Sequence, residues 1–158
     1  MLSTLEKELV AYAESFYTDD EQLNRNLRLK LAHTFRVRNE TTALAAAEAF
    51  PPEQARLAVR AALLHDFFMY NWNDPASMRP LHGFTHAREA LCNAQKQFEL
   101  NEIERDVIKK HMFPLNIALP RYRETALVSA ADKISAVMEL VHSARALRIL
   151  RRCRAVGL

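Results

Sequence analysis

This chain should fold as an all-α bundle around one core, and three observations carry that expectation. Only two glycines occur among 158 residues, Gly83 and Gly157, whereas the tight hairpins of a sheet protein demand residues that tolerate positive φ. Apolar residues recur three, four and seven positions apart, the spacing of one helix face. The six prolines fall between the periodic stretches and punctuate them. The length suits one domain with a proper core and is short for two, so residues 1–158 read as a single unit.

The elements follow in order. A first short helix is expected over residues 3–17. Asp19 and Asp20 are N-cap candidates for a long helix to about residue 49. Pro51-Pro52-Glu53 breaks and restarts the chain, because proline suits the first helical turn and disrupts the interior. The next helix runs from residue 53 to His65-Asp66. Residues 70–82, with two prolines, two asparagines and an aspartate, form the one long irregular stretch. Another helix covers about 84–98. Asn101 with Glu104 reads as a capping box opening a short helix to His111. Pro114 and Pro120 bracket a second loop, and residues 123–152 are helical, with a candidate break near His142.

Composition sets the outer bounds. Hydrophobic residues make up 49% and charged residues 26%, the balance of an ordinary globular protein. No apolar run approaches the roughly 20 residues of a membrane span, and the N-terminal MLSTLEKELV lacks a signal peptide's basic-then-apolar order, so a cytoplasmic location is expected. Cys92 and Cys153 lie far apart without CxxC spacing and are expected as buried free thiols of a reducing compartment. Net charge is +3, with five arginines crowding the tail: Arg145, Arg148, Arg151, Arg152 and Arg154. They complement the dipole of a last helix. No recognition motif accompanies them, so no nucleic-acid partner is expected.

Several ionisable residues occupy positions where a helix would turn inward. His33 shares a face with Leu29, Val37 and Leu44. His65 follows Ala58, Ala61 and Ala62, small residues that let a neighbouring helix approach. His111 continues the stripe of Ile103, Val107 and Ile108, and Asp132 lies with Val128, Ser129 and Ala136. Burying even an uncharged polar group without a partner costs roughly 2–7 kcal/mol, so such a carboxylate calls for a cation or hydrogen bonds. Imidazole and carboxylate together suit Mn, Fe, Co, Ni or Zn better than Ca, which takes oxygen.

The order His33, His65-Asp66, His82, His111, Asp132, in the strings AHTFRV, ALLHDFF, LHGFTHA, IKKHMFPL and SAADKISAV, resembles the HD superfamily of metal-dependent phosphohydrolases. The resemblance covers about residues 29–140. It implies an HD-domain-like helical bundle with a central metal site, in which His33, His65, Asp66 and Asp132 hold a first divalent ion. His82 and His111 match the further histidines of the two-metal branch, where Asp66 would bridge both ions. The LHG string is similar to that of bacterial HD hydrolases that split symmetrical dinucleoside polyphosphates, a likeness that leaves the substrate open. Two cations roughly 3.5–4 Å apart neutralise a phosphate ester's oxygens and hold a hydroxide at neutral pH. The count stays open between one ion and two, with His82 and His111 favouring two.

Further catalytic candidates surround this set. Lys133 is placed to hold a substrate phosphate or to stand in solvent. Arg36, one turn after His33, either grips an oxyanion or pairs with Glu40. His86, four residues after His82, is ranked first as a contact to substrate or to a ligand, and second as a ligand replacing His82. Many HD enzymes carry a lysine or acid just after the HD pair; here Phe67, Phe68, Met69 and Tyr70 follow. Tyr70 and Trp72 could stack on a base or cover the pocket. His142 matches no motif. The leading expectation is a phosphohydrolase acting on a small phosphorylated metabolite or nucleotide. The alternatives are a catalytically silent metal- or nucleotide-binding regulatory module and a di-iron oxygenase. The oligomeric state is left open.

Overall fold

The computed structural model describes residues 3–69 and 82–155, with the backbone course alone for 82–85 and 145–155. The expected irregular stretch with Tyr70 and Trp72 lies outside the described residues, as do the side chains of His82, Cys153 and the five tail arginines. Within them the chain forms six helices and no strand: α1 Thr4–Glu14, α2 Glu21–Ala47, α3 Pro52–Leu64, α4 His82–Gln97, α5 Glu102–Lys110 and α6 Arg123–Ala155. No helix among the described residues is long and apolar enough to cross a membrane.

Local chemistry sets the boundaries. Ser3 and Glu6 form a capping box on α1, and Asn101 and Glu104 form another on α5, each pair satisfying two amides that the first turn leaves without partners. Of the two aspartates before α2, Asp20 is the cap; its carboxylate accepts from the amides of Gln22 and Leu23. Pro52 opens α3, where a missing N–H costs nothing. At the far end of α2, Ala49 takes φ 49°, Phe50 N–H bonds Ala45 O and Ala49 N–H bonds Ala46 O. This is a Schellman ending with alanine where glycine would be at ease, and the ring of Phe50 packs into the same apolar cluster as Ala45.

Helix α3 lies at the centre and packs on α2, α5 and α6. Its fully buried Ala58, Ala61 and Ala62 meet Val37, Val107, Val128 and Ala131, small side chains that bring backbones close. Its other face sends Leu63 and Leu64, followed by Phe67 and Phe68, into a cluster with Leu9, Ala90, Ala94 and Ile108. Enlarging Ala61 would overpack the first interface, at a cost of about 1–3 kcal/mol.

Several sequence expectations need correction. α1 ends three residues before Tyr17, and α6 continues unbroken past His142, whose Nδ1–H donates to Met138 O at 2.7 Å. Leu29 is 56% exposed. Steps of four residues drift by about 40° from a straight helical face, so the inward face of α2 is centred on Leu27, Thr34, Val37 and Thr41, with His33 at its edge. For the same reason Ala136 faces solvent and Ser135 is buried beside Asp132. Cys92, expected inside, is exposed.

Candidate metal centre

Two short helices end on histidine. His65 is the C-cap of α3 and His111 the C-cap of α5. Each ring turns back on its own helix: His65 Nδ1–H donates to Ala62 O at 2.6 Å and His111 Nδ1–H to Ile108 O at 2.9 Å. Carbonyls of a last helical turn lack helical partners, so the rings satisfy them and fix their own tautomers. Nε2 is left as a lone pair on both. The corner after α3 is anchored by Phe67, which stacks on Tyr12 with ring centroids 4.2 Å apart. The end of α5 is held from α6, where Lys133 Nζ donates to the His111 carbonyl at 2.7 Å and Ser129 Oγ lies 2.8 Å from it.

The two lone pairs point into one cluster. His86 Nε2 lies 3.1 Å from His111 Nε2, and both lie 3.5 Å from Asp66 Oδ1. Donor atoms about 2.0–2.1 Å from a tetrahedral ion stand about 3.3 Å apart, so this triangle has the size of one coordination face. Beside it, His33 Nε2 is 3.1 Å and His65 Nε2 3.9 Å from Asp132 Oδ1. One donor atom each from His33, His65 and Asp132 lies within 4.8 Å of the other two, and the same holds for His65, Asp66 and His111. His65 is wholly buried, while the side chains of His33, Asp66 and Asp132 keep 17%, 15% and 12% of their exposure, so solvent approaches from their side.

Electrostatics separates the members. Burial pulls His65 down to about 4, which keeps it neutral. Burial pushes the Asp66 carboxyl up, but Lys30, His65 and His111 outweigh it and hold the group well below the usual carboxylate range. Asp132 is likewise opposed by burial, yet hydrogen bonding from His33 and nearby His65 and His111 bring it down to about 2. For His33 burial works against the proton, and Asp132 and Glu139 overcome it, raising the ring above its ordinary value. Glu139 Oε1 is 2.7 Å from His33 Nδ1 and accepts from Arg36 Nε at 2.9 Å.

The donor set fits a divalent transition ion. His65 Nε2 and Asp66 Oδ1 are buried without a hydrogen-bond partner, an arrangement that costs about 1–3 kcal/mol per group when nothing else satisfies it. A cation between them would answer both. Nitrogen with carboxylate oxygen is a donor set for Mn, Fe, Co, Ni or Zn.

The structure thus brings His33, His65, Asp66, His86, His111 and Asp132 together from α2, the end of α3, α4, the end of α5 and α6. His82 begins α4, one turn before His86. Arg36 meets Glu139, not Glu40. Two residues at the centre escaped the sequence reading: Lys30, whose Nζ is 3.0 Å from Asp66 Oδ2, and Glu139. Lys30 stands three residues before His33 and Glu139 seven after Asp132, on the ligand faces, but neither position by itself marks a partner from another helix. Two open cavities, of about 410 and 530 Å³, lie on the outer side of α4 and α5 around Leu91, Gln95 and Lys109, and share no residue with the histidine cluster.

An all-α bundle that converges histidines and aspartates from separate helices defines a class of metal-site proteins. The model of the HD domain matches residues 31–137, and the chain belongs to that family. No curated protein and no solved structure matches it.

Proposed function

We propose that the chain is a metal-dependent phosphohydrolase acting on a small phosphorylated metabolite or nucleotide. The observation that carries this reading is the pair of buried, unpartnered donor atoms, His65 Nε2 and Asp66 Oδ1, facing further histidines and Asp132. In this reading His33, His65, Asp66 and Asp132 would hold a first ion, and Asp66, His86 and His111 would hold a second. Bound there, divalent ions supply Lewis acidity toward phosphate oxygens and a lowered pKa for water, which hydrolysis of a phosphate ester needs at neutral pH.

The chain's own groups set the stage for that chemistry. His65 and His111 present Nε2 because their Nδ1 protons are committed to backbone carbonyls. Glu139 holds His33 by the opposite nitrogen, so the ring keeps its orientation when Nε2 gives up its proton. Lys133 and Arg36 act through neighbours, the first fixing the His111 carbonyl and the second fixing Glu139. The solvent-facing edges of His33, Asp66 and Asp132 leave an approach for an anionic substrate.

The deciding experiment is elemental analysis of gently purified protein, paired with phosphomonoester, phosphodiester and nucleotide substrates under Mn, Fe, Co, Ni and Zn. Bound transition metal with release of phosphate supports the proposal. Ligand binding without product under every metal would make the chain a regulatory module. Oxygen uptake by a reduced di-iron form would make it an oxygenase.

A further inference from the structure

Lys30 stands one turn before His33 on α2, and its side chain keeps 10% of its exposure. Its ammonium is clamped between two groups, with Nζ 3.0 Å from Asp66 Oδ2 and 3.3 Å from the centroid of the Phe68 ring. A buried ammonium needs a partner of opposite charge, and a ring face adds to its hold. The consequence is a divided carboxylate. Asp66 Oδ2 is occupied by Lys30, while Oδ1 looks toward His86 and His111. A carboxylate joining two ions through separate oxygens needs both of them.

We propose that Lys30 is a built-in counter-charge that restricts Asp66 to one metal-facing oxygen, Oδ1, and makes the centre take up its two ions unequally, one tightly and the other against the positive charge beside Oδ2. The inference rests on the metal-centre reading above and concerns its regulation. Lys30 is a positioning residue in this scheme, acting through Asp66. Unit charges a few Å apart interact strongly in a site shielded from water, so deleting the ammonium both unbalances the carboxylate and removes the repulsion felt by an incoming cation.

The test is calorimetric titration with Mn²⁺ or Zn²⁺ of the chelator-stripped wild-type chain, Lys30→Met and Lys30→Gln, with thermal melts before and after loading. Lys30→Met should bind the more weakly held of the two ions at least tenfold more tightly. Its metal-free form should melt lower than wild type, and loading should raise its melting temperature more. The direction is diagnostic, since a purely structural lysine would loosen ion binding when lost. Equal or weaker binding by folded Lys30→Met overturns the proposal. If that variant does not fold without metal, Lys30→Gln puts a polar but uncharged side chain in the same place, and unchanged or weaker affinity there overturns it equally. A wild-type chain that shows no saturable ion binding would instead sink the metal-centre reading itself.

Discussion

The two sides of the histidine cluster differ in what their nitrogens face. On the α2–α6 side, His33 lies between two carboxylates, Asp132 at 3.1 Å and Glu139 at 2.7 Å, and Arg36 closes the set. On the side built by the ends of α3 and α5, His65 and His111 have given their Nδ1 protons to backbone carbonyls, and His65 Nε2 meets no donor. The first side is satisfied by protons. The second leaves a buried nitrogen and a buried carboxylate oxygen without a hydrogen-bond partner, a donor pair that a divalent cation would satisfy. One centre therefore combines a half whose polar atoms are already paired with a half whose donor atoms are incomplete, and metal uptake is expected to depend most on the incomplete half.

Removing that half's carboxylate is the most severe way to break the contrast. Asp66→Ala deletes the oxygen shared by His86 and His111 and leaves Lys30 as a buried charge without its partner. Breaking a buried pair from one side costs about 3–5 kcal/mol. Ion uptake and hydrolysis should both fall to background, measured by elemental analysis and phosphate release, and the metal-free variant should unfold at lower denaturant. A variant that still loads ions normally would place the centre of action on the His33 side.

Acid titration of metal-free protein sharpens the contrast next. His65 has a folded pKa of about 4, below its ordinary 6.5, so its contribution to stability is present above pH 6.5 and is lost as pH falls toward 4. That difference corresponds to about 3 kcal/mol. Asp132, held at about 2, loses its own contribution only below the usual carboxylate pKa of 3.8. His33 runs the other way, since its raised pKa gives stability that is complete below pH 6.5 and lost as pH rises through the folded value. Imidazole NMR of chelator-stripped protein should show His33 taking a proton well before His65 on acidification, and denaturant melts should weaken between pH 6.5 and 4. Simultaneous titration of the two rings would erase the distinction.

These differences also explain what the sequence made legible. The helices were readable because apolar spacing, Asp20, Asn101-Glu104 and Pro52 all act locally. His65 and His111 were readable because each continues the buried stripe of its own helix. His33 was placed on a face one residue away from the true centre of burial, since steps of four drift along a helix as long as α2. Lys30 and Glu139 stayed hidden for another reason. A lysine and a glutamate on a helix edge look like solvated charges until a second helix arrives, and only the approach of Asp66 and His33 gives them partners. The pairing of His86 with His111 depends likewise on α4 meeting α5, which no spacing within either helix encodes.

A smaller perturbation tests the pre-paired side. Glu139→Gln retains a hydrogen-bond acceptor for His33 Nδ1–H but removes the charge that makes the ring more basic and that Arg36 holds. Partners behind a metal-binding histidine are worth about 10–100-fold in affinity, or about 1.4–2.7 kcal/mol. The affinity of the first ion should fall at the lower end of that range, with the His33 pKa lowered in the metal-free state. Calorimetry and NMR read both effects. An unchanged affinity would mean that His33 is oriented by Asp132 and packing alone.

The smallest expected effect lies outside both halves and supplies their baseline. Ala49 ends α2 in the left-handed region at φ 49°, a conformation that crowds its Cβ against the following carbonyl at a cost of about 1–2 kcal/mol. Ala49→Gly relieves that crowding, while glycine's greater freedom in the unfolded chain returns about 0.4–1 kcal/mol of it. The net gain should be about 0.5–1 kcal/mol, or about 1–4 °C in melting temperature for a chain of this size. Because the bonds from Ala49 and Phe50 to Ala46 and Ala45 involve backbone alone, the ending of α2 survives the change. His33 sits four turns away on the same helix, so ion affinity and the two imidazole titrations should stay as in wild type. A shift in either would mean that the length of α2 is coupled to the centre, and that stability and metal uptake cannot be read separately in the variants above.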